Sequence, residues 1–150
     1  MYTFSRAVLT VIFLFLILYV EANAQRKIIS SPEAPAAIGP YSQAVVSGGL
    51  VFVSGQLGID PKTGCFAKGG IRQQTEQVIL NLRAVLKSAG SSLEDVVRCT
   101  VFLEDLDNYE TMNEIYAKFF GKRPPSRAAV EVARLPKDGL VEISCIAVAP

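Results

Sequence analysis

The pattern of apolar and polar residues between about residues 44 and 90 predicts a hairpin followed by a helix. Two runs rich in β-branched residues lie on either side of Ser47-Gly48-Gly49, which is typical of a β-hairpin. From Ile71 to Ala89 apolar residues recur at helical spacing, and Gly90 follows as a residue suited to ending a helix. The recurring positions are Val78, Ile79, Leu82, Val85, Leu86 and Ala89.

The second half predicts a strand, a second helix and two further strands. Asp95–Leu103 is rich in β-branched residues on both faces, as in a buried strand. A helix is expected to begin at Asp107, with Glu110 three residues later as in a capping box, and to end at Gly121. Its apolar stripe is Met112, Ile115, Tyr116 and Phe119. The last strands are "AAVEVARL" and "LVEISCIAVA", on either side of Pro136-Lys137-Asp138-Gly139.

This order of elements predicts a two-layer α+β domain, with one antiparallel or mixed sheet and two helices on one face. Residues 30–43 contain three prolines and are expected to be extended and irregular, and residues 60–64 are expected to form a turn. The strands remain apolar on both faces, which is more than two helices can bury. We therefore expect the open face of the sheet to pack against other subunits.

The amino-acid composition limits the kinds of partner and catalytic group that the chain can use. Half of the 150 residues are hydrophobic, enough for one domain, and the formal net charge of +1 indicates no nucleic-acid partner. The absence of His excludes a His-based general base and most catalytic zinc sites. The three cysteines make no CxxC motif, so no metal site is expected. Cys99 and Cys145 could pair, but each also fits as a small core residue.

Residues 1–24 are predicted to be a cleaved secretory signal peptide, followed by a single domain over residues 25–150. Arg6 supplies a positive start, residues 7–20 form an apolar run, and Ala22-Asn23-Ala24 matches a cleavage site. The run is shorter than the roughly 20 residues needed to span a bilayer, although an uncleaved signal-anchor remains an alternative. The expected location is the secretory pathway or the extracellular space, with no membrane attachment after cleavage.

Two charged residues stand out near the C-terminus. Arg127 follows Pro124-Pro125, and a guanidinium fork held in place by a stiff backbone is suited to binding a carboxylate through two parallel hydrogen bonds. Glu142 interrupts an apolar strand, where a carboxyl group requires a partner or a raised pKa. Each residue could instead be an ordinary surface charge.

Motifs from Lys27 to the C-terminus carry a family resemblance. They are "PAAIGPYSQAV", "VFVSGQLGIDPKTG", "NLRAVLKSAG", "TVFLEDLDNY", "NEIYAKFF" and "PSRAAVEVARLPKDGLVEI". Together they resemble the Rid (YjgF-type) family of reactive-intermediate deaminases. The resemblance implies a chorismate-mutase-like homotrimer with three clefts between subunits. It also implies hydrolysis, without a cofactor or metal, of 2-iminopropanoate and 2-iminobutanoate to 2-oxo acids and ammonia.

The same resemblance assigns roles to individual residues. Glu142 would be the catalytic acid–base group, and Arg127 would bind the substrate carboxylate. The other positions that it places in the cleft are Tyr41, Ser54, Gly55, Asn113 and Ala129.

Local sequence suggests what these residues would contribute. Tyr41 follows Gly39-Pro40, a turn that could aim its ring at a planar imine, and Ser54-Gly55 is expected to end a strand and to let a backbone N–H reach the ligand. Many deaminases of the family have Cys where this chain has Ala129, so only the backbone carbonyl is available there.

Two other functions remain open from the sequence. A secreted, non-enzymatic trimer could keep the cleft for a small carboxylate or a protein partner, and the signal peptide favours this alternative because reactive imines form inside cells. RNA cleavage is also attributed to the family, but the chain has no His and no basic run to support it.

Overall fold

The structure, a computed structural model, describes residues 26–150, which contain six strands and two longer helices. The predicted signal peptide lies outside the described residues. The helices are α1 (Ile71–Ser88) and α2 (Tyr109–Phe120). The strands are β1 (Lys27–Ile29), β2 (Ala44–Ser47), β3 (Leu50–Leu57), β4 (Val96–Leu103), β5 (Ser126–Glu131) and β6 (Val141–Val148).

The six strands form one mixed sheet in the order β1-β2-β3-β6-β4-β5. All neighbours are antiparallel except β4 and β5, which are parallel and are joined through α2. The predicted α+β class with both helices on one side is therefore confirmed. The last two strands of the chain are not neighbours, because β6 lies in the middle of the sheet and β5 at its edge.

The two helices cover one face of the sheet. On β6, residues 141, 143, 145 and 147 are buried beneath them, and residues 142, 144, 146 and 148 point to the open face. The helix α1 packs on β3, on β6 and on α2, and every position of its predicted stripe is buried. This core fixes the register of the central strands, because a slip by one residue would turn their apolar set toward the open face.

The open face carries apolar side chains without a cover from residues 26–150. Ile28, Val45, Phe52 and Ile146 follow one another across four strands, and Phe102 and Val130 are neighbours on β4 and β5. Phe52 is 43% exposed, and Val130 and Val148 are exposed to a similar extent. A contiguous apolar surface of this kind is typical of a protein interface.

Local signals account for most turns. Gly48 and Gly49 both have positive φ, as the tight hairpin between β2 and β3 requires. Gly90, with φ 81°, follows the last turn of α1, where the Ser91 N–H donates to the Leu86 carbonyl in a Schellman motif. The predicted turn at residues 60–64 is closed by the Gly64 N–H, which donates to the Asp60 carbonyl.

Two predicted boundaries differ from the structure here, and one strand was not predicted. Asp107 does not begin the second helix: it lies in a short 3₁₀ turn, where its N–H donates to the Asp105 carboxylate, and the helix starts at Tyr109. The strand β1 was missed, because three residues with a single buried side chain give little periodic signal. The strand β5 ends at Glu131, four residues before the end of the predicted strand.

Cys99 and Cys145 lie directly opposite each other on β4 and β6. Both are free thiols buried in the core, and burial raises the pKa of each. Both therefore act as small core residues in the described structure, which was one of the two possibilities that their sequence positions left open. No helix among residues 26–150 has the length and apolar character needed to cross a membrane.

Candidate active site in two clefts

Arg127 lies on the edge strand β5, on the helix-covered side of the sheet. It pairs with buried Cys99 on β4, and its guanidinium lies 4.6 Å from the centre of the Tyr116 ring on α2. Nη2 donates to the Tyr109 hydroxyl at 3.2 Å, and Nη1 lies 4.0 Å from the Met112 sulfur. Arg127 forms no ion pair with a carboxylate of residues 26–150, so its charge is available for a ligand.

A cleft of about 650 Å³ opens beside Arg127, between α2 and the start of β5. The stiff segment Pro124-Pro125 forms one wall, and aromatic rings from α2 form the other. Two of the predicted site residues, Asn113 and Ala129, line this cleft together with Arg127. The cleft thus offers one cation in mostly apolar surroundings, which suits a small anionic ligand.

Glu142 lies on β6 on the open face of the sheet, in a second cleft of about 310 Å³. Its side chain passes over Gly55 so closely that a methyl group at residue 55 would collide with the carboxylate. Any larger residue at position 55 would therefore displace the Glu142 side chain from the place it occupies here. The other residues of this second cleft are Ile38, Tyr41, Ser54, Leu57 and Pro136.

Burial raises the pKa of the Glu142 carboxyl. Glu142 forms no ion pair with any cation in the described range, so only loss of solvent acts on it. A carboxyl group in this state exchanges protons more readily near neutral pH than a fully exposed one does. Glu142 is thus the group in this cleft best suited to acid–base chemistry.

Tyr41 and Ser54 occupy the second cleft in different ways. Tyr41 is about half exposed, and its hydroxyl accepts a hydrogen bond from the Ile38 N–H, which holds the ring at the entrance. Ser54 does not end a strand, because β3 continues to Leu57 after an irregularity in its pairing between Val53 and Gln56. The Ser54 N–H donates to the Gln43 carbonyl and its hydroxyl to the Ser42 carbonyl, so neither is free for a ligand.

The predicted site residues therefore divide into two groups within one chain. Arg127, Asn113 and Ala129 line the cleft on the covered side, whereas Glu142 and Gly55 belong to the cleft on the open face. Because the sheet lies between the two clefts, one chain cannot place Arg127 and Glu142 on the same small molecule. A shared site requires the Arg127 cleft of one copy to face the Glu142 cleft of another.

The aromatic residues that hold Arg127 were not predicted from the sequence. Tyr109 and Tyr116 are seven residues apart on α2 and hence share a face, but Tyr109 precedes the predicted apolar stripe and Tyr116 was interpreted as core alone. The i, i+3/i+4, i+7 spacing of Tyr109, Met112, Asn113 and Tyr116 is the signal that could have identified this wall.

No group of three or more His, Cys, Asp or Glu residues in the range 26–150 is arranged to hold a metal ion. The polar groups in the two clefts come instead from Arg, Glu, Tyr, Ser and Asn side chains.

Comparisons with known proteins give the same result by sequence and by structure. The family model described as Endoribonuclease L-PSP matches residues 31–149. A RutC family protein from Pyrococcus horikoshii is 52% identical over 81% of this chain and 97% of its own length. The 2-iminobutanoate/2-iminopropanoate deaminase of Bos taurus is 48% identical over 82% of this chain and 90% of its own.

A solved structure extends this similarity to the fold. The crystal structure of RidA from an Antarctic Psychrobacter species matches with a TM-score of 0.79 and 46% identity, covering 81% of this chain and 98% of that one. Residues 31–149, which the family model matches, include the residues of both clefts.

Proposed function

The chain belongs to the Endoribonuclease L-PSP family, which is the Rid (YjgF-type) family that its motifs resemble, and from this premise we propose that it hydrolyses small 2-imino acids. The products are the corresponding 2-oxo acid and ammonia, and the preferred substrates are 2-iminopropanoate and 2-iminobutanoate. The reaction needs no cofactor in this proposal.

The observation that carries the proposal is a pair of unmatched charges. Arg127 has no carboxylate partner and Glu142 has no cationic partner among residues 26–150. Unpaired charged groups lining clefts are expected to meet their counterparts in a ligand or in another subunit. A 2-imino acid supplies a carboxylate for Arg127 and a C=N bond for Glu142. The similarity to the 2-iminobutanoate/2-iminopropanoate deaminase of Bos taurus favours a 2-imino acid over other small carboxylates as the ligand.

The assembly in this proposal is a homotrimer. A second copy would cover the apolar open face of the sheet. Because Arg127 and Glu142 line separate clefts, they can act on one ligand only if two copies meet. In such an assembly each of three sites takes Arg127 from one chain and Glu142 from its neighbour. Covering the open face would also remove more water from Glu142.

The proposed reaction proceeds in two steps. Arg127 holds the substrate carboxylate, and the Glu142 carboxylate takes a proton from water as the water oxygen bonds to the imine carbon. Glu142 passes this proton to the imine nitrogen, which gives a tetrahedral adduct with a hydroxyl and an amino group. The Glu142 carboxylate then takes the hydroxyl proton as the C=O bond forms and passes it to the nitrogen as the C–N bond breaks, so that ammonia leaves and Glu142 is again a carboxylate. Acid–base assistance of this kind is typically worth about 10²–10⁴-fold in rate.

A coupled assay tests this function. Threonine dehydratase or an amino-acid oxidase generates the imine, and the release of ammonia is followed with and without the protein. The protein should accelerate release, and Arg127→Ala should remove the acceleration while the oligomer stays intact in light scattering. An unaltered rate with the wild-type protein would favour the non-enzymatic binding protein, and activity retained in Arg127→Ala would exclude Arg127 from the site.

The export of the protein is a separate proposal that rests on residues 1–24. A signal peptide is supported by the positive start, the short apolar run and the small residues at 22 and 24. Sequencing the N-terminus of the secreted protein should give Gln25 as the first residue. Recovery of the uncleaved chain from the membrane fraction would identify a signal-anchor instead.

A further inference from the structure

The Tyr109 hydroxyl is a polar group of the Arg127 cleft that the reaction described above does not use. Tyr109 is the first residue of α2, is 38% exposed and lines the cleft. The phenol oxygen accepts a hydrogen bond from Arg127 Nη2 at 3.2 Å. This contact holds one side of the guanidinium while the Tyr116 ring supports its flat face at 4.6 Å.

The surroundings of Tyr109 prepare its hydroxyl to donate. Asn113 lies one turn further along α2, and hydrogen bonding from Asn113 and from Arg127 lowers the pKa of Tyr109. A phenol oxygen that accepts hydrogen bonds still has its own O–H to donate. Within residues 26–150 the Tyr109 hydroxyl donates no hydrogen bond, and the walls of the cleft around it are mostly aromatic and aliphatic.

We propose that the Tyr109 hydroxyl is a further substrate-binding group, which donates a hydrogen bond to the carboxylate of the bound 2-imino acid beside Arg127. This inference rests on the proposed function. A carboxylate has about four lone-pair sites, and the Arg127 fork occupies two of them. A carboxylate oxygen that accepted a hydrogen bond from Arg127 Nη2 would have the Tyr109 hydroxyl, 3.2 Å from the same nitrogen, as its neighbour.

The test is the variant Tyr109→Phe, which keeps the ring and removes only the hydroxyl. A hydrogen bond to a charged group is worth roughly 10- to 100-fold in affinity. We expect KM for the imine to rise by this factor with kcat within about threefold, because the contact exists before and during the reaction. Glu110→Gln is the matched control: it changes the next residue of α2, which does not line the cleft, and should leave both constants unaltered.

Binding of 2-oxobutanoate separates this inference from the proposed function. This product-like monocarboxylate should bind Tyr109→Phe roughly 10- to 100-fold more weakly than wild type, even if the protein releases no ammonia from imines. In protein labelled with ¹³Cζ-tyrosine, the signal that disappears in Tyr109→Phe should shift during titration of the wild type with 2-oxobutanoate. An affinity within twofold of wild type, or a Tyr109 signal that does not move, would overturn the inference.

Discussion

The two faces of the sheet are built from the same strands but differ in what covers them. On the helix-covered face Val51 and Ile143 are completely buried, whereas on the open face Phe52 and Val148 are almost half exposed. The open face mixes apolar side chains with polar ones such as Thr100, Glu142 and Ser144, and no helix of residues 26–150 covers it. One chain thus completes one of its two cores and leaves the other for a partner.

The chemistry of the molecule follows the same division. The cation Arg127 belongs to the covered side, next to α2, and the acid Glu142 belongs to the open face. If one chain buried all of its apolar surface by itself, no second copy would bind, and Arg127 and Glu142 would stay on opposite sides of the sheet. Assembly and catalysis are therefore linked in the proposed function.

The largest effect is expected from placing a charge on each face in turn. Val51→Asp buries an unpaired carboxylate in the core, at a cost on the order of 5 kcal/mol, and should unfold the chain. Phe52→Asp, one residue further on β3, should leave the fold intact and block association. Circular dichroism reports folding, and size-exclusion chromatography with light scattering reports the oligomer.

This pair of variants has two informative failures. A folded Val51→Asp protein would contradict the burial of residue 51. A Phe52→Asp protein that still forms the wild-type oligomer would show that the open face is not the interface.

The second prediction concerns the acid on the open face. Glu142→Gln removes proton transfer but keeps the size of the side chain, so kcat should fall by about 10²–10⁴-fold. Ser144→Ala lies two residues further along the same face of β6 and lines neither cleft, so it should retain activity. Steady-state ammonia release measures both variants. Equal activity in Glu142→Gln and wild type would exclude Glu142 as the acid–base group.

Mixing two inactive variants tests whether each site lies between two subunits. In random assemblies of Arg127→Ala and Glu142→Gln chains, roughly a quarter of the sites between subunits combine an intact Arg127 with an intact Glu142. Mixing under conditions that allow subunit exchange should therefore restore roughly a quarter of wild-type activity. Sites contained within single chains would give no recovery at all.

The smallest effect is expected in the pH dependence of stability. The pKa of Glu142 is raised in the folded state, so its ionisation costs more there than in the unfolded chain. Below the unfolded pKa the carboxyl is neutral in both states, and as pH rises through the folded pKa the native state loses stability. Glu142→Gln lacks this loss, so its Tm relative to wild type should increase by at most about a few degrees between pH 4 and pH 8. A constant difference in Tm would contradict the raised pKa.

The elements that sequence predicted well are those with local signals. The spacing of apolar residues in α1 and the Gly48-Gly49 turn depend on neighbours in the chain. The pairing of β1 with β2 and the position of β5 at the edge depend on contacts over longer distances, which periodicity does not encode. The predicted start of α2 was wrong for a related reason. Asp105 and Asp107 are equivalent as capping residues in the sequence, and only the path of the backbone distinguishes them.

The candidate site shows the same limit. Residue type drew attention to Arg127 and Glu142, and the resemblance supplied the residues around them, whose roles stay predictions. Their separation by the sheet depends on the order of β3, β6, β4 and β5, which a single sequence does not give. Tyr109 was missed because its helical spacing with Met112 and Tyr116 indicates a shared face of α2 but not the guanidinium that this face contacts.

The burial of Cys99 and Cys145 has a practical consequence. Alkylating reagents attack the thiolate, and both core thiols are held neutral and away from solvent, whereas Cys65 is exposed. A maleimide dye should therefore attach to the native protein at a single position per chain, on a residue that lines neither cleft. Counting photobleaching steps on individual particles would then give the number of chains in each one.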